Sequence, residues 1–434
     1  VKNMMDLLTI LSDQKEELKN FENSSWITRR EEALLDLNSN RAQVVIGVRR
    51  CGKSTICKKV LMESRVAFAY VNFDDERLIN LTIDQMNDLL ETLYRIYGSF
   101  NYLLLDEIQN IEGWHLFVNR IMRSGVKVAL TGSNANLLSG ELVTHLTGRY
   151  NQIVLYPFSF VDYCTAKEVD MKSVSTKSRA LRQRALDEYL QSGGFPEIVA
   201  GENRRGYIMS LLSAIVQKDI CRRYNVSRTQ TIWEIANNVL DKNCQELSYN
   251  ALQKLFKVGS IHTVKNYVSY LNEAFLLRIV SKFSTKSSDR LLSKKSYVTD
   301  MAFISDREDV VTSKNLGWRL ENTVLLELYR RINTEYQQIY YLRKTNDFEV
   351  DFLVYDSSRV LELIQVTYAL DKTNKKLYRR EVGGLIKGAK QTNCEHLTII
   401  CLEGNSETLQ IDNYKIEVIK AAEWLCQQQY YYRK

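Results

Sequence analysis

The octapeptide Gly47-Val48-Arg49-Arg50-Cys51-Gly52-Lys53-Ser54 fits the phosphate-binding pattern G-x-x-x-x-G-K-[ST] at every position. Its glycines let the backbone curl so that N–H groups face a triphosphate, and a helix N-terminus at the same point adds partial positive charge. Lys53 is expected to reach the β- and γ-phosphates, and the Ser54 hydroxyl to hold Mg²⁺. The expected cradle runs from Gly47 through Thr55, with ATP and Mg²⁺ as its ligands. Further along, Asn101-Tyr102-Leu103-Leu104-Leu105-Asp106-Glu107 reads as a buried strand closing on two carboxylates. Asp106 is placed to bind Mg²⁺ through water, and Glu107 to polarise the attacking water as general base. The presence of Glu107 favours hydrolysis over nucleotide binding alone.

Those groups need a scaffold. The apolar run Ala42–Ile46 predicts a strand before the glycine turn, and Thr55–Glu63 is compatible with a helix after it. Helix and strand patterns alternate from Glu31 to about Tyr156, as a parallel sheet covered on both faces requires. Within that stretch, Ala67–Phe73 is a second apolar segment, and Val126–Leu130 is a strand ending in Thr131-Gly132-Ser133-Asn134. Ser133 and Asn134 are candidates to touch the γ-phosphate or orient water, with Asn134 counted among the catalytic residues; both also suit a plain strand-ending turn. Arg149, in Leu146-Thr147-Gly148-Arg149-Tyr150, reads equally as an arginine finger for a neighbouring subunit or as a surface arginine.

The chain has 434 residues, 45% of them hydrophobic and 26% charged, enough for two to four ordinary cores. No run approaches the roughly 20 apolar residues of a membrane span, and Val1 to Asn23 is too charged for a secretory signal. A cytoplasmic protein without membrane contact is expected. The eight cysteines show no C-x-x-C spacing and the four histidines no metal-ligand pairing, which argues against a zinc site or a disulfide framework. Net charge is +7, and the segment Lys254–Lys295 alone holds nine Lys/Arg against Glu273 and Asp289. Such clustering is an electrostatic footprint for nucleic acid, or else a solvated basic face.

The phosphate loop, Leu104-Leu105-Asp106-Glu107-Ile108-Gln109, Thr131-Gly132-Ser133-Asn134 and Leu146-Thr147-Gly148-Arg149 with Tyr156-Pro157-Phe158-Ser159-Phe160 resemble a large prokaryotic group. Its members are AAA-type ATPases whose C-terminal region is known only as a domain of unknown function. The similarity continues through Gly193-Gly194-Phe195-Pro196-Glu197, Lys218-Asp219-Ile220, Gly317-Trp318-Arg319-Leu320-Glu321-Asn322 and Glu349-Val350-Asp351-Phe352, covering nearly everything after about residue 27. It implies an AAA-type nucleotide site with Asp106, Glu107 and Arg149 in the roles above, and no agreed biological output.

The remaining organisation follows from pattern. An amphipathic helix is expected over 1–30, the P-loop core over 31–156, and a helical lid or linker over 157–228. Over 229–312, three short helices and a β-rich pair of segments read as a winged helix. Lys265 on its third helix and Lys286, Arg290, Lys294 and Lys295 on its wing are candidate DNA contacts, although winged helices also bind proteins.

Residues 313–426 then give a helix with Glu321 and two strands carrying Asp351 and Gln365, an order resembling the PD-(D/E)xK nuclease fold. That fold sets an acid and a lysine two residues apart on one strand face; here Gln365-Val366-Thr367 supplies an amide and a hydroxyl. Gln365 can still offer Mg²⁺ a neutral oxygen, but Thr367 cannot replace an ammonium. A relic that no longer cuts is expected, binding DNA or presenting a protein-contact surface; residues 427–434 form a tail.

The fold class expected is α/β: a P-loop parallel sheet with a helical lid, then a winged helix and a small α/β nuclease-like domain. The function expected is an oligomeric, DNA-coupled ATPase. A nucleotide-gated protein-binding switch is the alternative, and an ATP-coupled nuclease the least favoured.

Overall fold

Alternation between short apolar runs and amphipathic helices sets the first part of the chain. In the computed structural model β1 (Ala42–Ile46) and β3 (Tyr102–Asp106) are buried at every position, and β2 (Phe68–Asn72) and β4 (Lys127–Gly132) nearly so. A fifth strand, β5 (Tyr150–Val154), alternates more and was not singled out in the sequence. The structure describes residues 2–24, 26–133, 146, 148–284, 286, 290, 293–305, 315–332 and 337–427. Asn134, Thr147 and residues 428–434 of the tail therefore lie outside the described residues.

The five strands form a parallel sheet in the order β2-β3-β4-β1-β5. The strand of the glycine turn is thus separated from the strand of the acid pair by β4, so the end of β4 stands between the two motifs. Helix α1 (Lys2–Glu22) buries Leu7, Ile10, Leu11 and Leu18. Its buried Gln14 holds both the N–H and the carbonyl of Asn72, at 2.9 and 3.1 Å. Helices α2 (Lys53–Glu63), α3 (Met86–Tyr97) and α4 (Trp114–Arg123) complete the layers.

By compactness the chain divides into two units. One is residues 1–157 with the short segment Glu273–Phe275, and the other is Phe158–Asn272 with Leu276–Lys434. The second unit opens with helices at Phe160–Ala166, Thr176–Ser192, Pro196–Ala200 and Arg204–Ala214. Gly193 has no room for a Cβ, which would sit 1.8 Å from the Asp300 Oδ1. Helices Thr229–Asp241, Tyr249–Leu255 and Ile261–Glu273 follow, then an antiparallel hairpin of β6 (Leu277–Ser281) and β7 (Lys294–Val298).

A six-stranded mixed sheet closes the chain, in the order β12-β13-β11-β10-β9-β8. Its strands are β8 (Gln337–Lys344), β9 (Phe348–Asp356), β10 (Arg359–Ala369), β11 (Leu397–Glu403), β12 (Glu407–Ile411) and β13 (Tyr414–Lys420). Only β9 and β10 were anticipated. Phe352, Val354 and Ile364 pack with Val324 and Leu328 of helix Leu316–Arg331. Val350, Leu353 and Leu363 pack with Val382 and Leu385 of helix Lys375–Thr392, which gives the sheet two covered layers. Among the described residues no helix is long and apolar enough to cross a membrane.

Candidate active site

The glycine turn is shaped by sterics at two points. A Cβ on Gly47 would lie 2.0 Å from the Leu155 carbonyl oxygen, so only glycine fits where the loop leaves β1. Gly52, the residue before α2, has φ +99°, in the left-handed region that favours glycine. Arg29 braces the loop: its guanidinium donates to the carbonyls of Cys51 (3.1 Å) and Tyr156 (2.9 Å).

Inside this frame the charged groups converge. The Ser54 hydroxyl donates to Asp106 Oδ1 at 2.7 Å, and the Tyr70 hydroxyl to Asp106 Oδ2 at 3.2 Å. The Thr131 hydroxyl, at the end of β4, also donates to Asp106 and accepts the Glu107 N–H at 3.1 Å. Lys53 is buried, donates to the Val48 carbonyl at 3.2 Å and stands 3.5 Å from Glu107 Oε1. Glu107 Oε2 accepts from the Ser133 N–H at 3.2 Å and from the Gln109 side-chain amide.

The two neighbouring acids are pushed apart electrostatically. Burial, then the charge of Glu107, raises Asp106 above the usual aspartate range. Burial acts the same way on Glu107, but Lys53, Arg49 and the bonds from Gln109 and Ser133 outweigh it and hold it below the usual glutamate range. Ser54 and Asp106 bring two hard oxygen donors together, a set whose chemistry fits Mg²⁺.

The rest of the loop is more varied. Val48 and Cys51 are buried; burial raises the Cys51 thiol, which donates to the Leu155 carbonyl at 3.3 Å. Arg49 pairs with Asp74 at 2.9 Å, Arg50 is exposed, and Thr55 is half-buried. Arg149 is exposed and directly precedes β5, whose first residue Tyr150 pairs with Ala42, the first residue of β1. The glycine turn follows the opposite end of β1. At ~3.3 Å per residue that separation is roughly 16 Å, so Arg149 sits at the far edge of the sheet from its own phosphate loop. Thr131, Tyr70, Gln109 and Arg29 were not named as site residues. Thr131 and Gln109 lay within motifs already noted, whereas Tyr70 and Arg29 carried no signal.

On the helix Ile261–Glu273, Lys265 and His262 are exposed; Lys286 and Arg290 are exposed as well, and Lys294 is half-buried. Lys295 is a correction. Strand alternation puts it on the same face as buried Tyr297. Its ammonium lies 2.6 Å from Glu349 Oε1 and 3.7 Å from Glu321 Oε1, over the Tyr341 ring, and is unavailable to a DNA backbone. Asn322 fixes this strand to the helix by bonding both the N–H and the carbonyl of Val298 at 2.9 Å.

The charges of Glu321 and Asp351 both bear on that ammonium, and Gln365 meets the backbone of Asp351. The Gln365 side-chain oxygen accepts the Asp351 N–H at 3.4 Å, and Asp351 Oδ2 accepts the Val366 N–H at 2.8 Å. The Tyr297 hydroxyl donates to Glu321 Oε1 at 2.8 Å. Thr367 turns away, its hydroxyl donating to the Ala369 carbonyl at 3.3 Å. Burial, then the Glu321 charge, raises Asp351 well above the aspartate range. These residues do not fit a metal ion: among the described residues no three His, Cys, Asp or Glu side chains are grouped to hold one.

Comparison with known proteins adds the following. The family described as AAA domain matches residues 39–164, and a domain of unknown function (DUF8612) matches residues 183–309. The uncharacterized protein MJ1544 of Methanocaldococcus jannaschii is 32% identical over 404 residues, covering 90% of this chain and 89% of that protein. An uncharacterized protein of Haemophilus influenzae is 30% identical over 407 residues, covering 89% and 94%. Among solved structures, the Walker-type ATPase PABY2304 of Pyrococcus abyssi covers 64% of this chain and 95% of its own at 14% identity, with a TM-score of 0.42. Cdc6p from Pyrobaculum aerophilum covers 64% and 93% at 12% identity, with a TM-score of 0.31. Scores of this size leave the fold to be read from the sheet order itself.

Proposed function

Because the chain belongs to the prokaryotic family of these archaeal and bacterial relatives, which joins an AAA domain to this domain of unknown function, we propose that it is a Mg²⁺-dependent ATPase. It hydrolyses ATP to ADP and phosphate, inside the cell, and couples turnover to DNA. The observation that carries the reading is the meeting of Ser54 and Asp106 at 2.7 Å beside the Lys53–Glu107 pair.

Backbone N–H groups from Gly47 to Thr55 and the Lys53 ammonium hold the triphosphate. Mg²⁺, held by Ser54 and Asp106, would neutralise charge on the phosphate oxygens. Glu107, kept ionised by its cationic neighbours, accepts a proton from the attacking water, and Ser133 and Gln109 aim its carboxylate. Asn134, next along the chain, is kept as a candidate to orient that water. Arg149 is exposed at the far edge of the sheet, a position that suits a role in the site of a neighbouring copy and hence a homo-oligomer. The deciding experiment is ATP binding by the K53A variant: loss is expected, and parental affinity would refute the site.

The DNA half of the proposal rests on the three helices and hairpin, read as a winged helix with exposed Lys265, Lys286 and Arg290. Neutralising these three together should weaken duplex binding and lower its salt dependence by about 0.9 per lost phosphate contact. A second reading, a nucleotide-gated switch that binds a protein partner, is favoured by exposed Leu255 (57%) and Ile261 (37%) flanking the turn before the third helix. Stimulation of ATP turnover by duplex DNA supports the first reading, and its absence the second. The C-terminal sheet is read as a nuclease relic that does not cut, because Thr367 replaces the lysine.

A further inference from the structure

A sheet built like a nuclease but lacking its lysine raises the question of what balances its acids. Glu321, Asp351 and Glu381 are all buried, and Glu349 stands at their rim. Glu381, on the helix Lys375–Thr392, is 1% exposed; Arg380 pairs with its Oε1 while Oε2 is buried without a hydrogen-bond partner. Its charge is among those that bear on Asp351. Arg380 serves Glu381 and Arg343 stands 3.5 Å from Glu349, both from the exposed side; the buried cation against Glu321 and Glu349 is the Lys295 ammonium delivered by β7. Burying an ammonium costs several kcal/mol unless it is paired closely, and here Glu349 stands at 2.6 Å and Glu321 at 3.7 Å.

We propose that the Lys295 ammonium is the resident cation of this carboxylate cluster, standing in for the divalent metal that a PD-(D/E)xK site would bind, so that the C-terminal sheet is a metal-free site. One oxygen of each is already engaged: Asp351 Oδ2 by the Val366 N–H, Glu321 Oε1 by Tyr297 and Lys295, and the Gln365 amide oxygen by the Asp351 N–H. The lysine missing at Thr367 has not simply been lost. A lysine more than seventy positions earlier in the chain supplies the positive charge instead, and in doing so blocks the metal. Removing it leaves the buried Glu321 and Asp351 without that ammonium, beside a rim Glu349 that Arg343 also pairs, and frees carboxylate oxygens of the kind a divalent cation takes.

This inference rests on reading the sheet as a nuclease relic. Plasmid cleavage with Mn²⁺ tests that reading, and Mn²⁺ binding without DNA tests this one. Electron paramagnetic resonance titration of the nucleotide-free, full-length protein counts bound Mn²⁺. The parent and its D351N variant should titrate identically, because Asp351 holds no metal. The K295Q variant should gain a Mn²⁺ site at least about tenfold tighter than any the parent shows, lost again in K295Q/D351N, whereas K295R should behave as the parent. Mn²⁺ should also raise the melting temperature of K295Q and leave that of the parent unchanged. The proposal is overturned if the parent binds a Mn²⁺ that D351N loses, or if folded K295Q gains none. The comparison of parent with D351N decides even where K295Q fails to fold.

Discussion

The Lys53 ammonium stands 3.5 Å from the Glu107 carboxylate, so the candidate phosphate-binding cation and the candidate base neutralise each other. In the proposed site a triphosphate would compete with Glu107 for the Lys53 ammonium. E107Q removes the base and this competitor together. ATP binding should be retained or tightened, while kcat falls by about 100- to 10,000-fold. Equilibrium binding and single-turnover hydrolysis measure the two; a kcat within a few-fold of the parent would exclude Glu107 as base.

Thr131 supplies Asp106 with a hydroxyl donor that partly offsets the upward push of burial. Asp106 must be ionised to hold a cation, so activity falls as pH drops through its pKa. T131V removes the donor, raises that pKa further, and should shift the acid limb of the kcat/KM profile to higher pH. It also orphans the Glu107 N–H, at a cost of about 1–3 kcal/mol of stability. An acid limb that does not move would argue against this role.

Arg149 lies at the end of the sheet opposite its own phosphate loop, so as the proposed arginine finger it would act in another copy. R149A should retain ATP binding and lose about 1,000-fold or more in kcat. Mixing R149A with K53A should restore part of the turnover, since mixed assemblies contain intact composite sites. Mixtures no more active than either variant alone would remove Arg149 from the mechanism.

Asp300 accepts N–H bonds from Gly194 and Ala302 at 2.8 Å, yet burial pushes its carboxyl up to about 6 from an ordinary 3.8. A carboxyl raised on folding favours the folded state most below its ordinary value, and that contribution is lost as pH rises through about 6. D300N should therefore flatten the change in melting temperature between pH 5 and pH 7. An undiminished change would assign the pH dependence elsewhere.

The phosphate loop and acid pair could be read from sequence because each is a local pattern: an apolar strand, then a turn that only certain residues allow. Thr131 escaped because its role depends on β4 lying between β1 and β3, which is a pairing choice rather than a spacing. Lys295 was misread because Lys294 and Lys295 are adjacent and identical; only the burial of Tyr297 fixes which of them points inward. Strands β11 to β13 went unread for the same kind of reason. β11 and β13 are placed by the parallel register of β10 on β11 and β11 on β13, which nothing local announces. β12 is the antiparallel neighbour of β13 across the turn at Asp412 and Asn413.

Arg29 gives the nucleotide site a property that its better-known residues do not. By tying Cys51 to Tyr156 it braces the curl of the glycine turn within the fold itself. Capturing an anion then demands little further ordering of the chain, and the loss of disorder that would weaken a slack loop's grip has already been met. In the proposed site, Arg29 would thus act on phosphate affinity through the shape of the turn.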